Sequence, residues 1–229
     1  MKKSPERYIK PLISSKIEEF FASNNVVGEG GQLLDVGCGD QPFKLLVEKQ
    51  GLIYSSLDIS QNASNSVDYL AAIDKPLSNH VPVDQFDVIL CTEVLEHVAN
   101  WEQAFANFRQ ILRPGGVIVI TTPFFYFLHE EPHDFWRPTP FAFEWFAQRH
   151  SLQVLENQKL GTGWDILGTF LEVSFVDKNH NTGAFGTFIF KFVRFVLSKI
   201  RAYLVVGRLQ SISSLQSSFF HSVFVVLKK

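Results

Sequence analysis

A short segment, FLHEEPHDFWRPT at residues 127–139, concentrates side chains that could do chemistry. Either of its histidines, His129 or His133, could remove a proton from a hydroxyl near neutral pH. Asp134 could orient an imidazole or act as an alternative base. Arg137 could hold a carboxylate or phosphate through its planar fork of donors. The segment therefore predicts an acid–base site with these four residues as candidate catalytic groups.

The same segment also matches a zinc-binding pattern. Residues 129–133 read HEEPH, which is formally HExxH, a motif that binds zinc when both histidines lie inside one helix. Pro132 directly precedes the second histidine, where it would remove a helical hydrogen bond and clash with the preceding turn. We therefore assign no metal site to this motif, and a metallohydrolase is the third hypothesis for the chain.

A structural role is the alternative for the second half of the segment. Asp134 and Arg137 could form a salt bridge that only shapes the loop. Phe135 and Trp136 could stack on a sugar or another ring of an acceptor, or they could simply be buried. Both alternatives stay open at the level of the sequence.

The elements around this segment predict an α/β fold. Apolar runs typical of strands alternate with helical periodicity over residues 31–160, which indicates βαβ units and a mostly parallel sheet. Residues 1–30 hold an N-terminal amphipathic helix, residues 161–220 an aromatic and basic helical insertion, and residues 221–229 a last strand. We expect one domain over 1–229: a Rossmann-like sheet of seven strands with helices on both faces.

Two local signals mark helix ends. Thr139 and Pro140 suit the N-cap and the first position of a helix that runs through FAFEWFAQRH. The RPGG sequence at residues 113–116 predicts the end of a helix and a tight turn before the fifth strand.

Acids and glycines lie where consecutive strands end. Gly37 and Gly39 permit a tight turn close to a ligand, and Asp35 and Asp40 flank that turn. These acids would repel a pyrophosphate but would suit an ammonium or a sulfonium. Asp58 closes the second strand at about the 20-residue spacing of an acid that holds ribose hydroxyls. Together they favour a nucleoside ligand with a cationic tail.

Four motifs then follow in order: LLDVGCGDQPF, SLDIS, FDVILCTEVLEHVANW and LRPGGVIVITTPF. As a set they resemble the successive motifs of class I S-adenosylmethionine-dependent methyltransferases (type 11-like), from about residue 33 to about residue 160. PHDFWRPT is similar to a segment of a bacterial subgroup often found with polysaccharide or other glycoconjugate synthesis. The resemblance implies S-adenosylmethionine as cofactor and S-adenosylhomocysteine as product.

The resemblance also implies a set of cofactor contacts: Asp35, Gly37, Cys38, Gly39, Asp58, Ile59, Asp74, Cys91, Thr92 and Glu93. Asp35, Gly37 and Gly39 would line the methionine moiety. Asp58 would hold the ribose hydroxyls, with Ile59 against the adenine. The last three residues of the set, after the fourth strand, would lie beside the cofactor.

The chain departs from the family at one contact. Members usually carry an acid shortly after the third strand, near the adenine amino group, and the simplest alignment places Ala72 there. Either Asp74 takes the role from a shifted loop or a backbone group does. His97, in VLEH, is typical of the family, and we interpret it as structural.

Charge is distributed unevenly along the chain. Residues 1–177 hold all 23 acids, whereas residues 178–229 hold eight Lys/Arg and no acid. The basic, phenylalanine-rich stretch 185–208 could contact an anionic membrane surface, cap the site, form a dimer contact or pack on its own acidic body. The acidic body does not suit a nucleic-acid track. Two cysteines and a start without an apolar signal predict a cytoplasmic chain, with peripheral contact at the inner membrane face as an option.

The leading hypothesis is an enzyme that methylates a small-molecule or glycoconjugate acceptor, at oxygen, with lipid-linked glycans included. A non-catalytic S-adenosylmethionine-binding or scaffold protein of the same fold is the second hypothesis. Binding without turnover would distinguish it from the first.

Overall fold

The computed structural model describes residues 9–23, 28–77, 81–174, 184–206 and 219–229. The described strands are β1 (Gln32–Val36), β2 (Ile53–Asp58), β3 (Tyr69–Leu70), β4 (Phe86–Thr92), β5 (Leu112–Pro123), β6 (Gln153–Leu160) and β7 (Ser222–Lys228). The helices are α1 (Ile9–Ser23), α2 (Lys44–Lys49), α3 (Trp101–Ile111), α4 (Pro140–Arg149), α5 (Gly163–Ser174) and α6 (Ala184–Val206). A 3-10 turn, Leu95–His97, follows β4.

The strands form one seven-stranded sheet in the order β3-β2-β1-β4-β5-β7-β6. Pairing is parallel between β2 and β3, β1 and β2, β1 and β4, and β4 and β5. Lys229, just after β7, exchanges backbone hydrogen bonds with Gly115 and Gly116 near the start of β5, at 3.1 and 3.0 Å. The last strand therefore runs antiparallel to β5. The prediction of a mostly parallel, Rossmann-like sheet of seven strands is confirmed.

The central strands are apolar because both of their faces are covered. All residues of β4 except Thr92 are buried, which explains the uninterrupted run FDVILC. The strand order reverses between β1 and β4, so the connections after these two strands leave in opposite directions. In such sheets the crevice outside the carboxyl ends of the strands at the reversal is where ligands bind.

The RPGG prediction is wrong in its boundary. β5 already begins at Leu112, which pairs with Phe86, and the ladder then skips to Val88 opposite Val117. The RPGG residues thus form an irregularity inside the strand rather than a turn before it. A Cβ on Gly116 would lie 3.0 Å from the backbone oxygen of Asp87, so only glycine fits this approach.

The start of α4 is confirmed at Pro140, although without the expected side-chain cap. Thr139 has the extended backbone of an N-cap, with φ −82° and ψ 163°, but its side chain makes no capping hydrogen bond.

The described residues cluster into two compact units. One contains Ser15–Lys159 with Val223–Lys229, and the other contains Leu160–Ser222 with the N-terminal residues up to Ser14. In the first unit, Lys16 of α1 pairs with Glu156 at 2.8 Å and lies 5.1 Å from the Phe224 ring centroid. These contacts fix the second half of α1 against β6 and β7.

The second unit holds α5 and α6, which confirms a helical insertion before the last strand. Phenylalanines of α6 are exposed, among them Phe185 at 76% and Phe188 at 65%. None of the helices within the described residues is long and apolar enough to cross a membrane.

Candidate functional site

A cavity of about 320 Å³ opens where β1, β2 and β4 end. Its lining comes from the glycine turn, the end of β2, the loop after β3 and the segment after β4. The lining residues are Val36, Gly37, Gly39, Leu57, Asp58, Ile59, Ala71, Ala72, Ile73, Asp74, Glu93, Val94, His97, Val98 and Glu130. The cavity thus brings together six of the ten predicted cofactor contacts at one edge of the sheet: Gly37, Gly39, Asp58, Ile59, Asp74 and Glu93.

The glycine turn approaches the segment after β4 very closely. Gly37 has φ +69°, and a Cβ there would overlap the side chain of Val94. Gly39 has φ +49° with open space around its Cα. The backbone N–H of Gly37 donates to the carbonyl of Leu57 at 2.7 Å. Both glycines therefore supply a left-handed backbone, but only at Gly37 does a neighbouring side chain, that of Val94, also leave no room for a Cβ.

Asp58 holds the turn from the neighbouring strand. One of its carboxylate oxygens accepts from the backbone N–H of Gly39 at 3.0 Å, and the other accepts from that of Ser60 at 3.2 Å. Ile59, next along the chain, lines the cavity and is 77% exposed. An acid beside an exposed apolar side chain is an arrangement suited to a ribose and its base.

Asp35 lies below the turn rather than in the cavity wall. Its side chain is buried and accepts a hydrogen bond from the Tyr54 hydroxyl at 2.6 Å. The pKa of Asp35 is raised to about 7, mainly by burial; the hydrogen bond from Tyr54 lowers it and the charge of nearby Asp58 raises it. A cation bound above the turn would favour the ionised form of this carboxyl.

The loop after β3 brings both Ala72 and Asp74 to the cavity wall. This loop is held by Asn107, a buried residue of α3. Its side-chain amide donates to the carbonyls of Ile73 and Lys75 at 2.6 and 2.7 Å. The sequence analysis missed Asn107, and its only signal was an amide on the apolar face of a helix.

Three other predicted cofactor residues do not line the cavity. Cys38 is buried in the turn, Cys91 is buried in β4, and Thr92 closes that strand. Burial raises the pKa of the Cys38 thiol to about 12 and that of Cys91 well above its usual value, so neither is a ready thiolate. Glu93 does line the cavity, with its backbone N–H donating to Thr121 at 2.9 Å.

His97 lines the cavity from the 3-10 turn after β4. Its Nδ1 lies 2.7 Å from the backbone carbonyl of His133. A carbonyl oxygen can only accept, so Nδ1 carries a proton, and in the neutral ring Nε2 has the lone pair. Nε2 lies 3.8 Å from carboxylate oxygens of both Glu96 and Glu130. The residue interpreted as structural therefore has a proton-accepting atom at the cavity.

The segment 127–139 is attached to that turn through its backbone. The N–H groups of Phe135 and Trp136 both donate to the carbonyl of Glu96, at 2.8 and 3.2 Å. The indole N–H of Trp136 donates to the carbonyl of Val98 at 2.9 Å. The loop that carries the predicted catalytic residues thus orients His97.

Asp134 and Arg137 form the salt bridge that was the alternative to a catalytic role. Arg137 donates to both carboxylate oxygens, at 2.6 and 2.7 Å, and also to the carbonyls of Trp136 and Phe127. This pairing lowers the pKa of Asp134 to about 2. Our prediction that Arg137 holds an acceptor anion does not fit this arrangement, because its donors are engaged within the loop.

The remaining side chains of the segment divide into outer and inner groups. Phe135, Trp136 and His133 are exposed, and His133 is outside the cavity lining. His129 is half-buried, and its ring centroid lies 4.7 Å from that of His97. Residues 129–133, all of them described, form no helix, so the HExxH pattern lacks the scaffold that a zinc protease needs.

Comparison with known proteins shows a family from the sequence and related folds among solved structures. A family profile described as a methyltransferase domain matches residues 6–167. The chain is similar to ubiquinone biosynthesis O-methyltransferases. It is 32% identical to that of Rickettsia prowazekii over 102 residues, 40% of this chain and 39% of the relative. It is also 32% identical to that of Pasteurella multocida over 137 residues, 52% of this chain and 55% of the relative. The matched part thus spans about half or less of these relatives.

Solved structures with the same fold are more distant in sequence. A SAM-dependent methyltransferase from Archaeoglobus fulgidus aligns with a TM-score of 0.61 at 15% identity, over 100% of this chain and 96% of that one. The [4+2]-cyclase SpnF aligns with a TM-score of 0.61 at 14% identity, over 94% of this chain and 80% of that one. The glycine turn, the acid closing β2 and the profile match over most of the chain lead to one conclusion: the chain belongs to the methyltransferase domain family.

Proposed function

We propose that this protein is an S-adenosylmethionine-dependent methyltransferase that methylates a hydroxyl oxygen of a small-molecule acceptor. The observation that carries the proposal is the cavity itself. One wall is built by Gly37, Gly39 and Asp58, and the other is built by His97 with its Nε2 lone pair. The similarity to O-methyltransferases supports oxygen as the atom that receives the methyl group.

The cofactor wall is suited to a cationic nucleoside. Asp58 can accept from ribose hydroxyls, and Ile59 offers an apolar surface for the base. The glycine turn lets the chain approach the methionine moiety closely, above the buried carboxyl of Asp35. When bound, S-adenosylmethionine supplies a methyl group already activated on a sulfonium.

The acceptor wall has to align a hydroxyl and remove its proton. Because the donor is activated, alignment with the methyl carbon is the main requirement. Nε2 of His97 can accept the hydroxyl proton, since Nδ1 is held as a donor to the His133 carbonyl. The backbone bonds from Phe135 and Trp136 to Glu96 keep the turn that carries His97 in place.

Calorimetric titration with S-adenosylhomocysteine tests the cofactor half of this proposal. Wild-type protein is expected to bind, and Asp58→Ala is expected to weaken binding roughly 10- to 100-fold because charge-assisted hydrogen bonds to the ribose are lost. Asp40→Ala is the matched control, since Asp40 is an exposed acid beside the same turn but outside the cavity lining. The proposal is wrong if wild-type protein fails to bind at millimolar ligand. Equal losses in the two variants would show that Asp58 acts only through general charge.

Turnover has to be measured separately, because the fold is compatible with other chemistry, as the cyclase among the structural neighbours illustrates. Methyl transfer to any member of a panel of phenols, sugars and lipid-linked glycans would support the enzyme. Cofactor binding without turnover on the whole panel would support the non-catalytic binding protein instead.

The finer proposal is that the acceptor is a glycoconjugate or lipid-linked molecule and that α6 lies on an anionic membrane surface. Phe188, Phe192 and Phe195 of α6 are 58–65% exposed, and the helix also carries exposed Lys191 and Lys199. An apolar helix surface with lysines suits the boundary of a negatively charged bilayer. Residues 178–229 contain no Asp or Glu, so no negative charge in this part of the sequence opposes its attraction to anionic lipids.

Co-sedimentation with vesicles tests this surface. Binding to phosphatidylglycerol vesicles is expected to exceed binding to phosphatidylcholine vesicles and to fall at high salt. The double variant Phe188→Ala/Phe192→Ala is expected to lose most of the binding, since each phenylalanine contributes roughly 2 kcal/mol of apolar transfer. Phe141→Ala is the control, because Phe141 is a 74% exposed phenylalanine of α4. Lack of binding to anionic vesicles, or an equal loss with the control, would contradict the membrane contact.

A further inference from the structure

Asn107 is a buried polar residue of α3 whose hydrogen bonds reach beyond the helix. Only 1% of its surface is exposed. Its amide nitrogen donates to the carbonyls of Ile73 and Lys75, at 2.6 and 2.7 Å. Its amide oxygen accepts from the side chain of Gln103 at 3.0 Å. Two carbonyl partners require both N–H groups of the amide, so these neighbours fix the orientation of the side chain.

The two carbonyls belong to a turn at the cavity. The backbone N–H of Lys75 donates to the carbonyl of Ala72 at 3.1 Å, which closes a turn over residues 72–75. Both Ala72 and Asp74 line the cavity. Asn107 holds the carbonyls on either side of Asp74. The position of Asp74 on the cavity wall therefore depends on a side chain of α3.

The 72–75 turn lies on the side of the cavity where a base would bind. Just before it, Ala71 donates its backbone N–H to the carbonyl of Asp58 at 3.0 Å. Asp58 closes β2 beside Ile59, an exposed apolar residue of the cavity lining. The proposed function has a ribose at Asp58 and its base against Ile59. The 72–75 turn thus forms the wall that adjoins the base.

The helix that holds this turn is itself fixed at its start. Asn100 caps α3, because its side chain accepts a backbone N–H of the first turn at 3.2 Å. The indole N–H of Trp101 donates to the carbonyl of Leu95 at 2.7 Å, in the 3-10 turn that carries His97. One helix therefore supports the His97 side of the cavity at its first residue and the 72–75 turn farther along.

We propose that Asn107 is a positioning residue for the cofactor, which holds the 72–75 turn so that Asp74 faces the base and the site selects among nucleobases. This inference rests on the proposed function. A carboxylate only accepts, so a fixed Asp74 favours the amino edge of adenine over the carbonyl edge of hypoxanthine. A released turn would let Asp74 move away and would reduce this preference. Asn107 is not among the residues that line the cavity, so it acts through the turn.

Hydrogen exchange tests the support of the turn without any cofactor. In the unliganded protein the Lys75 amide is bonded to Ala72 and should exchange slowly. Asn107→Leu keeps the branched shape of the side chain but has no donor. It is expected to speed exchange of the Lys75 amide by at least roughly tenfold, because two hydrogen bonds that hold the turn are lost. Asn100→Ala is the matched control, since it weakens the same helix at its cap. Equal exchange in Asn107→Leu and wild type, or an equal rise in the control, would overturn the proposal.

Calorimetry with two ligands tests the selectivity. S-adenosylhomocysteine and S-inosylhomocysteine differ only in carrying adenine or hypoxanthine. Wild-type protein is expected to bind the adenine ligand at least roughly tenfold more tightly, the usual effect of one mismatched hydrogen bond. Asn107→Leu is expected to lose most of this difference, by weakening the adenine ligand and changing the hypoxanthine ligand little. Asn107→Ala gives the same comparison with a smaller side chain, and both variants are first checked for cooperative melting.

The outcomes separate this proposal from the proposed function. A variant that only loosened the fold would lose affinity for both ligands alike, so an unchanged ratio of the two affinities would contradict the role of Asn107. Equal binding of both ligands by wild-type protein would also overturn it. If wild-type protein bound neither ligand, the proposed function would be wrong, and hydrogen exchange would still decide whether Asn107 holds the turn.

Discussion

Replacing His97 with glutamine is expected to lower methyl transfer at saturating cofactor by roughly 100-fold or more, the usual contribution of a positioned proton acceptor. Glutamine can still donate to the carbonyl of His133, so the turn after β4 should keep its shape. It cannot take a proton from a hydroxyl. The expected loss is therefore in kcat, measured with a labelled methyl donor, while affinity for S-adenosylhomocysteine changes little.

The comparison with His133→Ala makes this result decisive. The ring of His133 is exposed and outside the cavity lining, and only its backbone carbonyl reaches His97. Alanine keeps that carbonyl, so turnover should stay within a few-fold of wild type. If His133→Ala lost as much activity as His97→Gln, the proton acceptor would lie in the loop, as the sequence analysis first predicted.

Gly37→Ala is expected to lower the free energy of unfolding by about 3 kcal/mol and to abolish cofactor binding in the calorimeter. Two costs add at this position. A left-handed backbone costs an L-residue about 1–2 kcal/mol, and forcing an extra carbon into a packed contact costs a further 1–3 kcal/mol or so. The new Cβ would overlap the Val94 side chain, so the segment after β4 that carries Val94 would have to shift.

Two variants separate the costs by chemical denaturation. Gly39→Ala carries the backbone cost alone, because nothing lies within 4 Å of a Cβ built there. It should therefore be less destabilised than Gly37→Ala. Adding Val94→Ala to Gly37→Ala removes the two methyl groups that overlap, and should recover roughly half of the lost stability. If both glycine variants were equally destabilised and Val94→Ala restored no stability, steric overlap with Val94 would not be the cause of the loss at Gly37.

The fold was predictable because its signals are local and repeated. Apolar runs such as FDVILC, separated by helical periodicity, indicate a parallel sheet before any tertiary contact is known. Gly37, Gly39 and Asp58 could be placed at the cavity for the same reason, since they follow strands that must end at one edge. The RPGG boundary was wrong because the pairing of Leu112 with Phe86 is a contact between distant segments.

The side of the cavity that His97 lines was less predictable, because its geometry also depends on contacts between residues far apart in the sequence. His97 gains its orientation from a backbone carbonyl 36 residues away, and no residue type marks a carbonyl. Arg137 has the chemistry to bind an anion, but Asp134 three residues earlier engages it in the folded loop. Residue types alone identified the loop, whereas the contacts that orient His97 and engage Arg137 appear only in the folded chain.

The attachment of segment 127–139 to the turn after β4 has an evolutionary consequence. Positions 133 and 135 contribute main-chain atoms, and main-chain atoms are the same for every residue except proline. Their exposed rings can therefore be exchanged without disturbing the imidazole of His97. Substitutions at these two positions can therefore accumulate in a lineage while the orientation of the His97 imidazole is inherited unchanged.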